Sequence, residues 1–173
     1  MSRYVAFLRG VNVGGRIIKM ADLKICLEKA GLADVRTLLQ SGNVVFGSQL
    51  SGDRLKVLIE DALTKTFGYE AKVQVMPIGR LEDVVQDYPF GVAGEAQHDY
   101  VVFMENGLEG DVVAETFKLA DGEQVIAGAG VVYWRVDKGQ TLKSDFAKVL
   151  TKTKYKTHNT NRNLKTLKKI IQL

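Results

Sequence analysis

The 173-residue chain is poor in the residues that build crosslinks and metal centres: it has one cysteine, Cys26, and two histidines, His98 and His158. A lone cysteine forms no intrachain disulfide, and a reducing cytoplasm is the expected setting. One cysteine and two widely separated histidines also leave no ligand set of the familiar zinc or iron–sulfur kinds, and no cofactor is expected. Long apolar runs are missing. The longest, across residues 125–136, is interrupted within a few residues, so neither a transmembrane helix nor a membrane partner is expected. Residues 1–9 hold too short an apolar stretch, and no cleavage site, to read as a secretory signal. What remains is ordinary globular material: 46% hydrophobic and 25% charged residues, with a mean hydropathy of −0.05. That apolar content offsets the ordering entropy and excludes a disordered chain. The length suits one large domain or two small, tightly packed ones.

Charge is segregated beneath the net +4. Residues 1–20 carry Arg3, Arg9, Arg16 and Lys19 with no carboxylate. Residues 79–123 carry eleven Asp or Glu against Arg80 and Lys118, and residues 138–173 carry ten Lys or Arg against Asp145 alone. The acidic middle and basic tail can attract each other within one fold or pair between copies in a homo-oligomer; alternatively, the basic parts serve an anionic ligand. A solvated helix face explains a lysine-rich tail equally well.

The apolar spacing predicts a strand over Arg3–Arg9, with Tyr4, Ala6 and Leu8 on one side and Val5 and Phe7 on the other. After the Gly10–Lys19 loop, Met20, Leu23, Leu27 and Ala30 recur at helical spacing up to Gly31, a natural stop. Strands follow over Asp34–Gln40 and Val44–Gly47. A second amphipathic helix from Ser51 to Gly68 precedes a strand over Lys72–Met76. This β-α-β-β-α-β order is that of a ferredoxin-like unit, and predicts an α+β fold with a first subdomain over residues 1–78. Residues 79–173 form a second α+β subdomain packed against it. Its expected elements are a helix over Arg80–Tyr88, a strand over His98–Met104 and a helix over Leu108–Leu119. A hairpin around Gly128–Gly130 and basic terminal helices over Leu142–Leu150 and Arg162–Ile171 complete it. The order repeats without a closing strand, as in an imperfect structural duplication, although no residue-level repeat is visible.

Three segments offer binding chemistry. Arg9-Gly-Val-Asn-Val-Gly-Gly15 lies between the first strand and first helix, where backbone amides often bind phosphates. Gly10, Gly14 and Gly15 permit close approach, Asn12 adds a polar side chain, and Arg9, Arg16 and Lys19 add charge. The spacing is neither a dinucleotide fingerprint nor a P-loop, and a long structural turn explains it as well. Near the C-terminus, Thr160-Asn-Arg-Asn163 precedes a helical stripe, which places Thr160 or Asn161 at an N-cap and Arg162 and Asn163 in the first turn. A cation there opposes the helix dipole and calls for a carboxylate or ligand partner. Lys143 sits in a third basic, glycine-containing turn that also reads as an ordinary strand-to-helix connection. Gln40-Ser-Gly-Asn43 reads as a hairpin turn, Trp134 as core, and the two histidines as structural or solvent-facing.

Together, Tyr4–Gly15, Lys19–Leu23, Leu39–Phe46 and Thr160–Asn163 resemble the DUF1697 family nearly end to end. The resemblance implies bacterial proteins with a ferredoxin-like unit and no assigned activity. Where that family usually has Trp after Arg-Asn, this chain has Leu164. Where it often has a Gly-Arg-Ser-Lys-like run, this chain has Gly139-Gln-Thr-Leu-Lys-Ser144. Two function classes follow from the residues. One is an anion-binding module for a phosphorylated ligand or a nucleic-acid backbone, using Arg9, Arg16, Lys19, Lys143 and Arg162. The other is a small enzyme acting on a phosphorylated metabolite or nucleotide, for which no acid, base or nucleophile can be assigned. A protein-interaction scaffold using the two charge blocks is the plainer third reading.

Overall fold

The computed structural model describes residues 1–173. The chain divides into two compact units, Met1–Asp83 with Lys169–Leu173, and Val84–Lys168.

In the first unit, β1 (Ser2–Arg9), α1 (Met20–Lys29), β2 (Ala33–Leu38), β3 (Asn43–Ser48), α2 (Gly52–Phe67) and β4 (Lys72–Pro77) follow the expected order. The sheet is antiparallel with strand order β2-β3-β1-β4. Alternation along β1 sends Ala6 and Leu8 into a core with Phe46, Leu23, Leu27, Leu55, Ile59 and Leu63. Each fully buried Leu or Ile there contributes roughly 1.5–3 kcal/mol. α2 stops where Gly68 adopts φ 67°, a left-handed conformation that relieves the helix end without a Cβ penalty. α3 (Ile78–Gln86) follows β4 directly.

The second unit runs β5 (Gln97–Met104), α4 (Glu109–Ala114), β6 (Gln124–Gly128), β7 (Val131–Asp137), α5 (Asp145–Leu150), α6 (Thr153–Lys156) and β8 (Asn159–Asn163), then α7 (Leu164–Ile171). Its sheet, β6-β7-β5-β8, repeats the strand order of the first. Trp134 is core, as its alternating strand predicts: it is 1% exposed, packs edge-on to Phe146 at 5.2 Å, and donates its indole N–H to Glu123 Oε1 at 2.8 Å. That bond satisfies the one polar atom burial would otherwise strand.

Three sequence expectations change. A closing strand exists: Asn159–Asn163 is β8, paired with β5 through Tyr100↔Asn163 and Phe103↔Thr160. Its side chains are all polar, so no apolar alternation announced it, and neither Thr160 nor Asn161 is a cap. Arg162 is therefore a buried strand residue rather than a first-turn cation, and α7 begins at Leu164. α4 is shorter than the expected Leu108–Leu119. The Thr116 hydroxyl bonds back to Val112 O at 2.9 Å, just beyond the helix end. α5 starts later than expected, because the Ser144 hydroxyl caps it by accepting from Ala147 N at 2.9 Å.

Candidate functional site

The glycine-bearing loop of the first unit turns its polar groups inward. Gly10, Gly14 and Gly15 have φ of 69°, 61° and 80°, and Asn12 shares the left-handed region at 57°. The Asn12 amide donates to Gln40 O at 2.5 Å, and its Oδ1 accepts from Ile18 N at 2.8 Å. One side chain thus ties the loop both to its own far end and to the β2–β3 turn. Arg16 donates to Gly10 O at 3.0 Å and stacks its guanidinium 4.2 Å from the centre of the Tyr69 ring. The adjoining turn is equally tight. Gly42 O accepts from Leu8 N at 2.8 Å, and a Cβ on Gly42 would lie 2.8 Å from that of Leu8. The two N-terminal motifs that stand out in the sequence therefore clasp each other. Arg9 ends β1 opposite Lys72, partly buried, and Lys19 is exposed at the N-cap of α1.

The remaining predicted residues lie in the second unit. Lys143 is exposed in the turn before α5. Arg162 donates to Thr160 Oγ1 at 2.8 Å and Asn161 O at 2.9 Å. Asn163 caps the start of α7 by accepting from Lys165 N at 2.9 Å.

Of the predicted residues, only Asn163 lines a cleft of about 930 Å³ in this unit. It opens across the ends of the adjacent strands β7, β5 and β8. β7 leads to Lys138, β5 opens with Gln97, His98 and Asp99, and β8 ends at Asn163 before Lys165 and Lys168 on α7. Lys165 and Lys168 are three residues apart and so share one helix face. Lys148, Lys152 and Lys154 are paired with carboxylates. Lys138, Lys165 and Lys168 are exposed and make no ion pair.

The opposite wall is built on a buried ion pair. Asp99 and Arg135 are direct cross-strand partners. Arg135 Nε and Nη2 donate to the two Asp99 oxygens at 2.7 and 3.0 Å, and Nη2 also donates to Gly91 O at 2.5 Å. Hydrogen bonding to Asp99 is the chief cause raising the Arg135 pKa further. Beside this pair, the Tyr88 ring meets Phe90 and Tyr133 edge-on at 5.4 and 5.5 Å. The Tyr88 hydroxyl is buried beside the Asp99–Arg135 pair. Burial first, then the neighbouring Asp99 carboxylate, raises its pKa well above the ordinary phenol value, against a smaller opposing pull from Arg135. It stays protonated and cannot act as a phenolate nucleophile near neutral pH. The chemistry on offer is recognition: three exposed cations, a histidine and an apolar wall.

The profile described as a protein of unknown function, DUF1697, matches residues 1–133. The chain belongs to the DUF1697 family. The solved structure of the conserved bacterial protein SP0830 from Streptococcus pneumoniae is 27% identical to this DUF1697 protein. The similarity covers 99% of this chain and 97% of that one with a TM-score of 0.80. A crystal structure of an unknown protein from Galdieria sulphuraria aligns over 94% of this chain and 96% of that one. Its identity is 13% and its TM-score 0.28, below what a common fold gives. No curated protein matches the sequence. The family match includes Tyr88, Phe90, His98 and Asp99, whereas Lys138, Lys165 and Lys168 lie beyond it.

Sequence reasoning passed over these cleft residues because they are scattered and individually ordinary. The available signal was Tyr88-Pro-Phe-Gly-Val-Ala-Gly94, an aromatic, glycine-bounded connection leading into a strand that opens His-Asp.

Proposed function

We propose that this DUF1697 protein binds a small phosphorylated molecule in the cleft of its second unit. The observation that carries this reading is the set of unpaired lysines, Lys138, Lys165 and Lys168, lining one cavity of about 930 Å³. That volume lies in the range of small-molecule sites, which favours one compact ligand over a nucleic-acid track. α7 begins in the cleft, so the partial positive charge of its first turn adds to the lysines. The glycine-bearing loop is the lesser candidate, because Asn12 and Arg16 are engaged in holding it.

Titration calorimetry with ribose 5-phosphate tests the proposal. Replacing Lys165 and Lys168 together by Ala is expected to weaken binding by about tenfold or more, two charge-assisted contacts being lost. Salt dependence should stay shallow. A polyanion partner would instead show a log–log slope of roughly −0.7 to −0.9 for each phosphate contacted. No binding by the parent protein, or equal binding by the double variant, would overturn the reading.

A further inference from the structure

His98 stands in the lining of the cleft with no polar partner of its own. It is half-buried at the second position of β5, opposite Val136 of β7, and its ring tilts against that of Tyr100 with centroids 5.7 Å apart. Neither ring nitrogen makes a hydrogen bond or ion pair within the protein. The charged groups around the ring come from every element of the lining. On β5 itself, Asp99 is bound to Arg135. At the end of β7, Asp137 accepts from Gln97 Nε2 at 3.4 Å, and Lys138 is exposed beyond it. α7 brings the exposed Lys165 and Lys168, and the connection before β5 brings the exposed Glu95. Cations predominate, and an anion drawn in by them meets a histidine whose nitrogens are still open to bond.

Resting on the phosphate-binding reading of the cleft, we infer that His98 is a further ligand-binding residue: its imidazole donates to the bound phosphate and takes up a proton from solvent as it does so, which makes the protein's grip acid-sensitive. Lysines alone would give a grip blind to pH, since among the side-chain types of this lining imidazole alone changes charge between about pH 5 and pH 8. The protonated ring adds a charge-assisted bond to the anion. By linkage, its contribution to affinity grows as pH falls, by at most about tenfold per pH unit for one proton. A phosphate monoester loses its second charge near about pH 6 and works in the opposite direction. The two titrations together place the strongest binding on the acid side of neutrality.

The test measures ribose 5-phosphate affinity of the parent and of His98→Gln at about pH 5.5 and about pH 8. The ligand's own titration is common to both proteins, so the ratio of their affinities isolates His98. The parent's advantage should be roughly three- to tenfold larger at the lower pH. A second readout needs no variant: in NMR pH titrations of the parent, saturating ribose 5-phosphate should raise the midpoint of the His98 ring by roughly half a unit to one unit, the same coupling seen from the proton's side. His158, beside Glu105 and outside the cleft lining, serves as the control and should not move. If ribose 5-phosphate binds and the His98 midpoint stays in place, or the affinity ratio is the same at both pH values, the inference falls and the phosphate site stands. If ribose 5-phosphate does not bind the parent at either pH, the cleft reading itself is overturned.

Discussion

The two units reach the same sheet order, the second with α5 and α6 where the first has α2 alone, yet their polar side chains are used in opposite ways. In the first unit, Asn12 and Arg16 close hydrogen bonds within and beside their own loop, and Gly42 lets the adjoining turn press against Leu8. In the second, three exposed lysines without an ion pair line one cavity. A conspicuous glycine–arginine motif is therefore compatible with a purely structural clasp. A binding cleft can be assembled from residues that no single stretch of sequence brings together.

The largest effect expected is in the wall of the cleft. Arg135→Ala leaves Asp99 buried without its partner; their side chains are only 9% and 13% exposed. Breaking such a pair costs roughly 3–5 kcal/mol, measurable by urea unfolding. A loss below about 1 kcal/mol would put the pair in the class of solvent-screened surface bridges. In the first unit, Gly42→Ala combines a φ of 76° with a Cβ contact at 2.8 Å, and should cost roughly 2–3 kcal/mol. Gly14→Ala has a similar φ of 61° but open space around it, so about 1 kcal/mol is expected. Equal costs at the two positions would show that the clasp is looser than its geometry.

Alkaline unfolding separates the units by another route. Burial raises the pKa of Tyr69 in the first unit, and burial together with Asp99 raises that of Tyr88 in the second. A raised tyrosine pKa means the folded state keeps a proton that the unfolded chain releases. The stabilisation is fully present below the ordinary value of 10.0 and is lost as pH rises beyond it. The slope is at most about 1.4 kcal/mol per pH unit for each tyrosine. Stability curves from about pH 9 to pH 11 should fall less steeply in Tyr88→Phe than in the parent. Coincident curves would mean Tyr88 ionises as freely folded as unfolded. The smallest effect is at Arg16. Arg16→Ala removes the bond to Gly10 O and the stack on Tyr69, and should cost about 1 kcal/mol. No change in stability would return Arg16 to the list of free cations.

Legibility tracked the physics of pattern. β1, α1 and α2 could be read because apolar residues recur at two- or helical-residue spacing along each. β8 could not, because its partner is the backbone of β5 and its side chains are Asn, Thr, Asn, Arg and Asn. The loop was visible as a motif, but its inward use depends on an Asn12–Gln40 bond spanning 28 residues. The cleft needs the register of three strands at once. Lys138 reaches it only because Asp137 pairs with Gln97, and α7 joins only because Asn163 pairs with Tyr100.

The sharpest test maps backbone amide shifts by NMR while ribose 5-phosphate is titrated in. The account predicts that the largest changes fall on His98, Lys138, Asn163 and Lys165, with Gly14, Gly15 and Lys19 unmoved. Shifts centred on Gly10–Lys19, with the cleft silent, would contradict it.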